Sequence, residues 1–288
     1  MKNPSASAFF IAAILFISCS DNKQPKADTQ DASRIVSLNG SITEVLCAFG
    51  MEKNIVGVDV TSNYPGSVNK IEKVGYVRSL AAEKVLALNP SLVLAFSEGM
   101  KPELKDQLSA AQVHSIIIKQ EYTINGTKAF IKTLAENFDQ QPKADELNNK
   151  IDEDLKKVEI LSSKPKVLFI YARGAGTLMV AGNHTAPKGM IELAGGENAI
   201  SGFDDFKPLT PEALVNANPD IILLFDSGLQ SLGGMQGLMA IPGVSQTNAG
   251  KNKNVIEMDG QYLAGFGPRI GEAVVFLNQK FKATVAAN

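Results

Sequence analysis

The chain has 288 residues, 44% of them hydrophobic, and a formal net charge of −2. That is enough apolar material for one or two sizeable cores and too little excess charge to grip nucleic acid electrostatically. Two cysteines in the whole sequence exclude a thiolate metal cage or an iron–sulfur cluster.

Residues 1–19 read as a targeting segment, with Lys2 at its start and an apolar run over Ala8–Ile17 that is too short to span a membrane as a mature helix. Phe16-Ile17-Ser18-Cys19 resembles a bacterial lipobox, which makes Cys19 the expected lipid-modified residue; Phe16 stands where leucine is usual. The alternative is an ordinary cleaved signal with a free Cys19. Residues 20–33 are polar, rich in Asp, Lys and Gln, and suit a flexible tether.

Residues 34–140 alternate strand and helix signals, as expected of a first α/β lobe. Arg34–Leu38 predicts a strand, Ser41–Phe49 a helix closed by Gly50, and Ile55–Val60 a second strand. Cys47 falls in the apolar pattern of that helix and is read as a small core side chain. After a loop carrying Tyr76 and Arg78, a helix is expected over Leu80–Leu88 with Ser79 as its cap, stopped by Asn89-Pro90 and followed by a buried strand, Leu92–Phe96. Pro102–Ala111 and Asn125–Phe138 predict further helices, and Val113–Ile118 a strand beginning beside His114.

Residues 141–163 are charged with Leu147, Ile151, Leu155 and Val158 on one side, the pattern of a long amphipathic helix, here expected to end at Pro165. Residues 164–288 then predict a second α/β lobe, opening on the strand Val167–Tyr171. Lys188–Ala194 reads as a helix, Met235–Met239 as a further short element, Asn254–Met258 as a strand, and Arg269–Phe281 as a closing helix. Between them Pro208–Phe225 repeats the earlier grammar: a Thr210 cap, a helix with Pro211 at its first position, Asn218-Pro219, and the strand Ile221–Phe225. In register, Glu212 falls opposite Glu83 and Phe225 opposite Phe96. Two similar halves joined by a helix leave one natural place for a ligand, the cleft where strand ends face each other.

Four stretches resemble one family of proteins. Asn39-Gly-Ser-Ile-Thr-Glu-Val-Leu-Cys-Ala-Phe-Gly, Gly75-Tyr-Val-Arg-Ser-Leu-Ala-Ala-Glu, Leu193-Ala-Gly-Gly-Glu-Asn-Ala and Gly265-Phe-Gly-Pro-Arg269 are similar to bacterial substrate-binding proteins of ABC importers for haem, cobalamin and iron–siderophores. The Gly-Tyr-x-Arg-x-Leu stretch resembles the haem-binding, HmuT-type branch. The resemblance implies the class III periplasmic-binding-protein fold: two Rossmann-like α/β lobes joined by one long rigid helix. It also implies that Tyr76 ligates ferric haem iron, since a phenolate is a hard anionic donor suited to Fe(III). Read from the residues alone, Tyr76 is a ring packed at a loop edge and Arg78 a solvated charge.

Further roles follow from the same resemblance. Arg78 would face the phenolate or a haem propionate. Some relatives place a His after the first strand of the second lobe; here Arg173 stands in that loop and could pair with a propionate. His184, in Gly182-Asn-His-Thr-Ala-Pro187, is either a cleft contact or a solvated loop residue, and His114 reads as structural. Tyr262 and Phe266, in the glycine-rich stretch 260–267, are expected as walls against the porphyrin with Arg269 nearby, the alternative being ordinary loop packing. Glu83 and Glu212 would dock one on each lobe onto the membrane permease; alone, a Glu in a first helical turn simply suits the helix dipole. The expected protein is a lipid-anchored, periplasmic or cell-envelope monomer that carries haem and does no covalent chemistry. A cobalamin or siderophore receptor is the alternative within the class. An extracytoplasmic α/β hydrolase is disfavoured by the lack of a Gly-x-Ser-x-Gly elbow and of a triad context for either His.

Overall fold

The computed structural model describes residues 31–287. The targeting segment, Cys19 and tether residues 20–30 lie outside the described residues.

The first lobe is a five-stranded parallel sheet. Its strands are β1 (Ile35–Ser37), β2 (Ile55–Asp59), β3 (Lys73–Gly75), β4 (Leu92–Phe96) and β5 (His114–Ile118), in the spatial order β3-β2-β1-β4-β5. Along β4 alternate residues feed different cores: Leu92 and Leu94 pack with Ile35, while Val93 and Ala95 pack with Val36 and Leu104 on the other face. Helices on both faces account for the unbroken apolar run. These are α1 (Gly40–Ala48), α2 (Ala82–Leu86), α3 (Pro102–Ala110) and α4 (Ile124–Phe138). Each fully covered Leu, Ile or Val contributes about 1.5–3 kcal/mol.

Two starts differ from the sequence expectation. Asn39 caps α1 by accepting from the Ser41 N–H, so the helix starts at Gly40, one residue before the expected Ser41. Ser79 caps nothing: its N–H is already bonded to the Tyr76 carbonyl at 2.9 Å in a 3-10 turn over Val77–Ser79, and α2 starts only at Ala82.

The connector α5 (Gln141–Leu155) follows α4 after a left-handed Asp139 and packs against α4 and the closing helix, α12 (Ile270–Ala287). It ends at Leu155, well before Pro165. Asn278 of α12 is the reason: its side chain accepts from the Glu159 N–H at 3.0 Å and donates to the Glu159 carbonyl at 2.9 Å. One buried amide therefore takes over the backbone bonds that a continuing helix would need.

The second lobe is a mixed sheet. Its main path, β11-β10-β6-β7-β9, uses β6 (Lys166–Ala172), β7 (Leu178–Ala181), β9 (Phe206–Pro208), β10 (Ile221–Phe225) and β11 (Val255–Met258); β8 (Glu197–Asn198) pairs with β6. Around it lie α6 (Ala186–Leu193), α7 (Pro211–Ala217), α8 (Asp226–Ser231), α9 (Gly234–Met239), α10 (Asn248–Asn252) and α11 (Gly260–Ala264). The duplicated unit is present in both lobes. β4 lies beside the lobe's opening strand β1, and β10 likewise lies beside β6. Asn89 and Asn218 stop their helices in the same left-handed conformation, φ 45° and 40°, which Asn adopts more readily than most residues.

The largest core runs through both lobes, joining Ile35, Leu94, Phe130 and Ile151 to Phe169, Leu223, Phe266 and Phe281. Apolar packing continuous from sheet to sheet through α4, α5 and α12 favours a stiff pair of lobes over a freely hinged one.

Candidate ligand cleft

Tyr76 directly follows β3, in extended backbone at φ −92°, and leads into the 3-10 turn that presents Arg78. The ring is half-buried and the Arg78 side chain exposed. Arg78 lies flat over Gly99: a Cβ on that glycine would stand 3.3 Å from both Arg78 Cγ and Nε. Gly99 also holds φ +85°, so the loop after β4 needs glycine twice over.

Glu98, beside it, accepts from the Gln120 N–H at 2.8 Å, tying the loop after β4 to the loop after β5. That second loop carries Tyr122. Burial pushes the Tyr122 phenol above its usual range, the Glu98 charge adds to this, and Arg78 opposes it. Tyr122 thus stays a neutral hydrogen-bond donor on the same side as Tyr76.

The second lobe meets Tyr76 through Arg173. The Arg173 guanidinium carbon lies 5.3 Å from the Tyr171 ring centre and 5.9 Å from that of Tyr76, so one cation addresses a phenol from each lobe. Arg173 sits in a tight hairpin between β6 and β7, held by its N–H to the Thr177 carbonyl and by Gly174 N–H donating to Ser231. Behind it the Tyr171 ring meets Phe225 edge-on at 6.0 Å and Phe206 at a tilt at 6.2 Å, and Phe206 stays 41% exposed. An exposed Phe beside a half-buried Tyr and an arginine without a carboxylate among the described ion pairs makes an apolar, cationic wall.

Tyr171 and Phe206 escaped the sequence reading. The signal was present for Tyr171: Tyr171-Ala-Arg173 repeats the Tyr-x-Arg spacing of Tyr76-Val-Arg78. Phe206 carried none, because β9 is a short edge strand.

The expected walls Tyr262 and Phe266, with Arg269, lie elsewhere. The stretch 260–267 is not an open loop: Gly260–Ala264 is helix α11, capped by Asp259 accepting from the Tyr262 N–H. Phe266 is only 1% exposed and packs edge-on against Tyr122 at 5.5 Å. Tyr262 packs against Phe276 of α12. Arg269 forms a bidentate pair with Glu44 of α1 at 2.9 and 3.1 Å and stacks 3.7 Å from the Tyr64 ring centre. These residues strap the lobes together: Ser41 donates to the Gly265 carbonyl, Thr127 to the Phe266 carbonyl, and Gln261 to the Gly40 carbonyl. Small glycines let two backbones meet there, and that packing fixes their role.

His184 lies on an exposed loop, 3.7 Å from Asp204, and His114 is exposed at the start of β5. Among the described residues no three His, Cys, Asp or Glu side chains are grouped to hold a bare metal ion. Glu83 and Glu212 are both exposed, each in the first turn of its helix in the duplicated unit.

The model of the periplasmic binding protein family matches residues 35–262. The chain belongs to this family. Its fold is the family's class III architecture, and the family and its solved members are binding proteins of transport systems, not enzymes. The periplasmic haem-binding protein RhuT of Roseiflexus sp. RS-1, in apo form, superposes with a TM-score of 0.85 at 37% identity, covering 88% of this chain and 99% of that one. The periplasmic haem-binding protein BhuT, in complex with two haems, gives 0.82 at 34% identity over 88% and 98%. The ABC transporter substrate-binding lipoprotein YvrC of Bacillus subtilis is 28% identical, over 93% of both chains. The vitamin B12-binding protein of Yersinia pestis is 29% identical over 70% of this chain and 72% of its own. Membership implies an extracytoplasmic substrate-binding protein that serves an ABC importer.

Proposed function

We propose that the protein captures ferric haem in the gap between Tyr76 and Arg173 and delivers it to an ABC permease. The observation that carries this reading is the convergence at Tyr76: a half-exposed phenol from one lobe, with the other lobe's guanidinium 5.9 Å away. A haem brings an oxophilic ferric ion, a flat apolar face and two carboxylates. The cleft offers a counterpart to each: Tyr76 oxygen for the iron, Tyr171, Phe206 and Phe225 for the face, and Arg78 and Arg173 for the propionates. Tyr122 supplies a neutral O–H at the same end. His184 stands outside this convergence and is left without a role in binding.

Delivery uses Glu83 and Glu212 on the exposed face of the duplicated units, meeting cationic residues of the permease. Cys19 carries the lipid that holds the chain, as a monomer, at the membrane. The curated vitamin B12-binding relative supports a second reading, in which the same aromatic wall stacks on a corrinoid and Tyr76 touches no metal.

Parallel absorption titrations with haemin and cyanocobalamin separate the two. A sharpened Soret band saturating with haemin, and no binding of cyanocobalamin, is the expected outcome. Cyanocobalamin binding without a haemin isotherm would replace this reading with the second.

A further inference from the structure

Beside Tyr76 the first lobe exposes one apolar side chain, Val60, whose part in the cleft rests on the haem reading above. Val60 directly follows β2 and is 51% exposed. Its N–H donates to the carbonyl of Gly75 at 3.0 Å, and Gly75 is the residue before Tyr76. Neighbouring strands lie about 4.8 Å apart, so Val60 stands one strand spacing from the phenol, comparable with the distance from the iron of a porphyrin to its rim.

Two cross-lobe contacts bracket Val60. On one side is Tyr76, with the Arg173 guanidinium 5.9 Å from its ring centre. On the other side, three residues along, Asn63 donates through its side chain to Asp259 at 2.7 Å and through its N–H to Gln261 Oε1 at 3.2 Å. Val60 therefore sits on the first-lobe edge between two points where the second lobe touches it. The matching edge of the second lobe runs from Arg173 after β6 to Asp259 after β11, past Phe225-Asp226 at the end of β10.

A buried network holds the Val60 loop still. Asp59, 1% exposed, accepts from the Thr61 N–H at 3.0 Å and the Ser62 hydroxyl at 2.7 Å. Ser62 meets Thr43 of α1 at 2.9 Å, and Lys73 donates to the Ser62 carbonyl. Satisfied buried networks of this kind rigidify what they hold.

Charge divides along this edge. Arg78 and Arg173 stand at the Tyr76 end, whereas residues 60–65 carry no charge. Arg269, stacked on Tyr64, is already paired with Glu44. Asp226 and Asp259 lie on the second-lobe side of the same end.

We infer that Val60 is a specificity-determining contact, the apolar floor on which the vinyl-bearing edge of haem rests. Haem carries both propionates on one edge and its vinyl groups away from them, a polarity that the cleft repeats. A carboxylate turned to the floor would meet a valine and two like charges, and would lose water without gaining a partner. A porphyrin with acid groups on both edges is thereby refused.

Iron coproporphyrin III, in which propionates replace both vinyl groups, tests this beside haemin. Absorption titrations would compare the full-length protein with Val60→Arg and Val60→Asp. The parent should bind haemin about 10–100-fold more tightly than the tetracarboxylate. Val60→Arg should narrow that preference at least about tenfold, whereas Val60→Asp should weaken haemin about tenfold with no gain for the coproporphyrin. A parent that binds both iron porphyrins equally would overturn the floor, whatever the variants do. So would variants that keep the parent's affinities, and either result leaves the haem reading intact. A parent that binds neither iron porphyrin would remove the haem reading and the floor with it.

Discussion

Glu44 of the first lobe and Arg269 of the second form a two-pronged ion pair, at 2.9 and 3.1 Å, with the Glu44 carboxylate almost wholly buried. Gln261 donates to the same carboxylate at 3.0 Å. A buried pair of this kind contributes little net stability when intact but is costly to halve. Arg269→Met should destabilise the fold by about 3–5 kcal/mol, and Glu44→Leu/Arg269→Met by clearly less. Urea melts of the three proteins check this; a double variant no better than the single would contradict it.

Burial holds the Glu44 carboxyl above the ordinary glutamate value of 4.5, although Arg269 pulls the other way. Because the folded-state value lies above the unfolded one, folding favours the neutral carboxyl. The contribution is complete below pH 4.5 and is lost as pH rises through the elevated value. Stability measured from pH 4.5 upward should therefore decline less steeply in Glu44→Gln than in the parent. Parallel curves would show that Arg269 cancels the effect of burial.

Burial, with Glu52 and Glu44 nearby, pushes the Cys47 thiol up to about 12. At pH 8 only on the order of one molecule in ten thousand carries the reactive thiolate. Cys47 should react with a disulfide reagent orders of magnitude more slowly in the native protein than in urea. Equal rates would place the thiol in an open environment.

Gly265 lies where the strap crosses α1, and a Cβ there would stand 2.4 Å from the Gln261 carbonyl and 2.8 Å from Ser41 Oγ. Gly265→Ala should cost about 1–3 kcal/mol by overpacking, read as a lowered melting temperature. An unchanged melt would mean that the strap is loose.

The sequence made much of the scaffold legible where local chemistry decides structure. Asn89-Pro90 and Asn218-Pro219 ended helices as expected and gave the duplicated unit, because a side chain tolerant of left-handed backbone followed by proline is a local signal. The end of α5 was not legible, because Asn278, far along the chain, sets it through the backbone of Glu159. For the same reason Arg269 looked like a ligand contact: nothing near it in sequence announces Glu44. Tyr76 and Arg78 were singled out through the Gly-Tyr-x-Arg-x-Leu resemblance and Arg173 by its place after the first strand of the second lobe, whereas the proximity of Tyr76 to Arg173 is a product of the tertiary fold.

The central claim concerns one oxygen atom. Resonance Raman spectra of the ferric haem complex, excited in the phenolate-to-iron charge-transfer band, compare the parent with Tyr76→Phe. The account predicts tyrosinate ring modes in the parent, and their loss in Tyr76→Phe with haem affinity down about 10–100-fold. Tyrosinate modes unchanged in Tyr76→Phe, or absent from the parent, would contradict it.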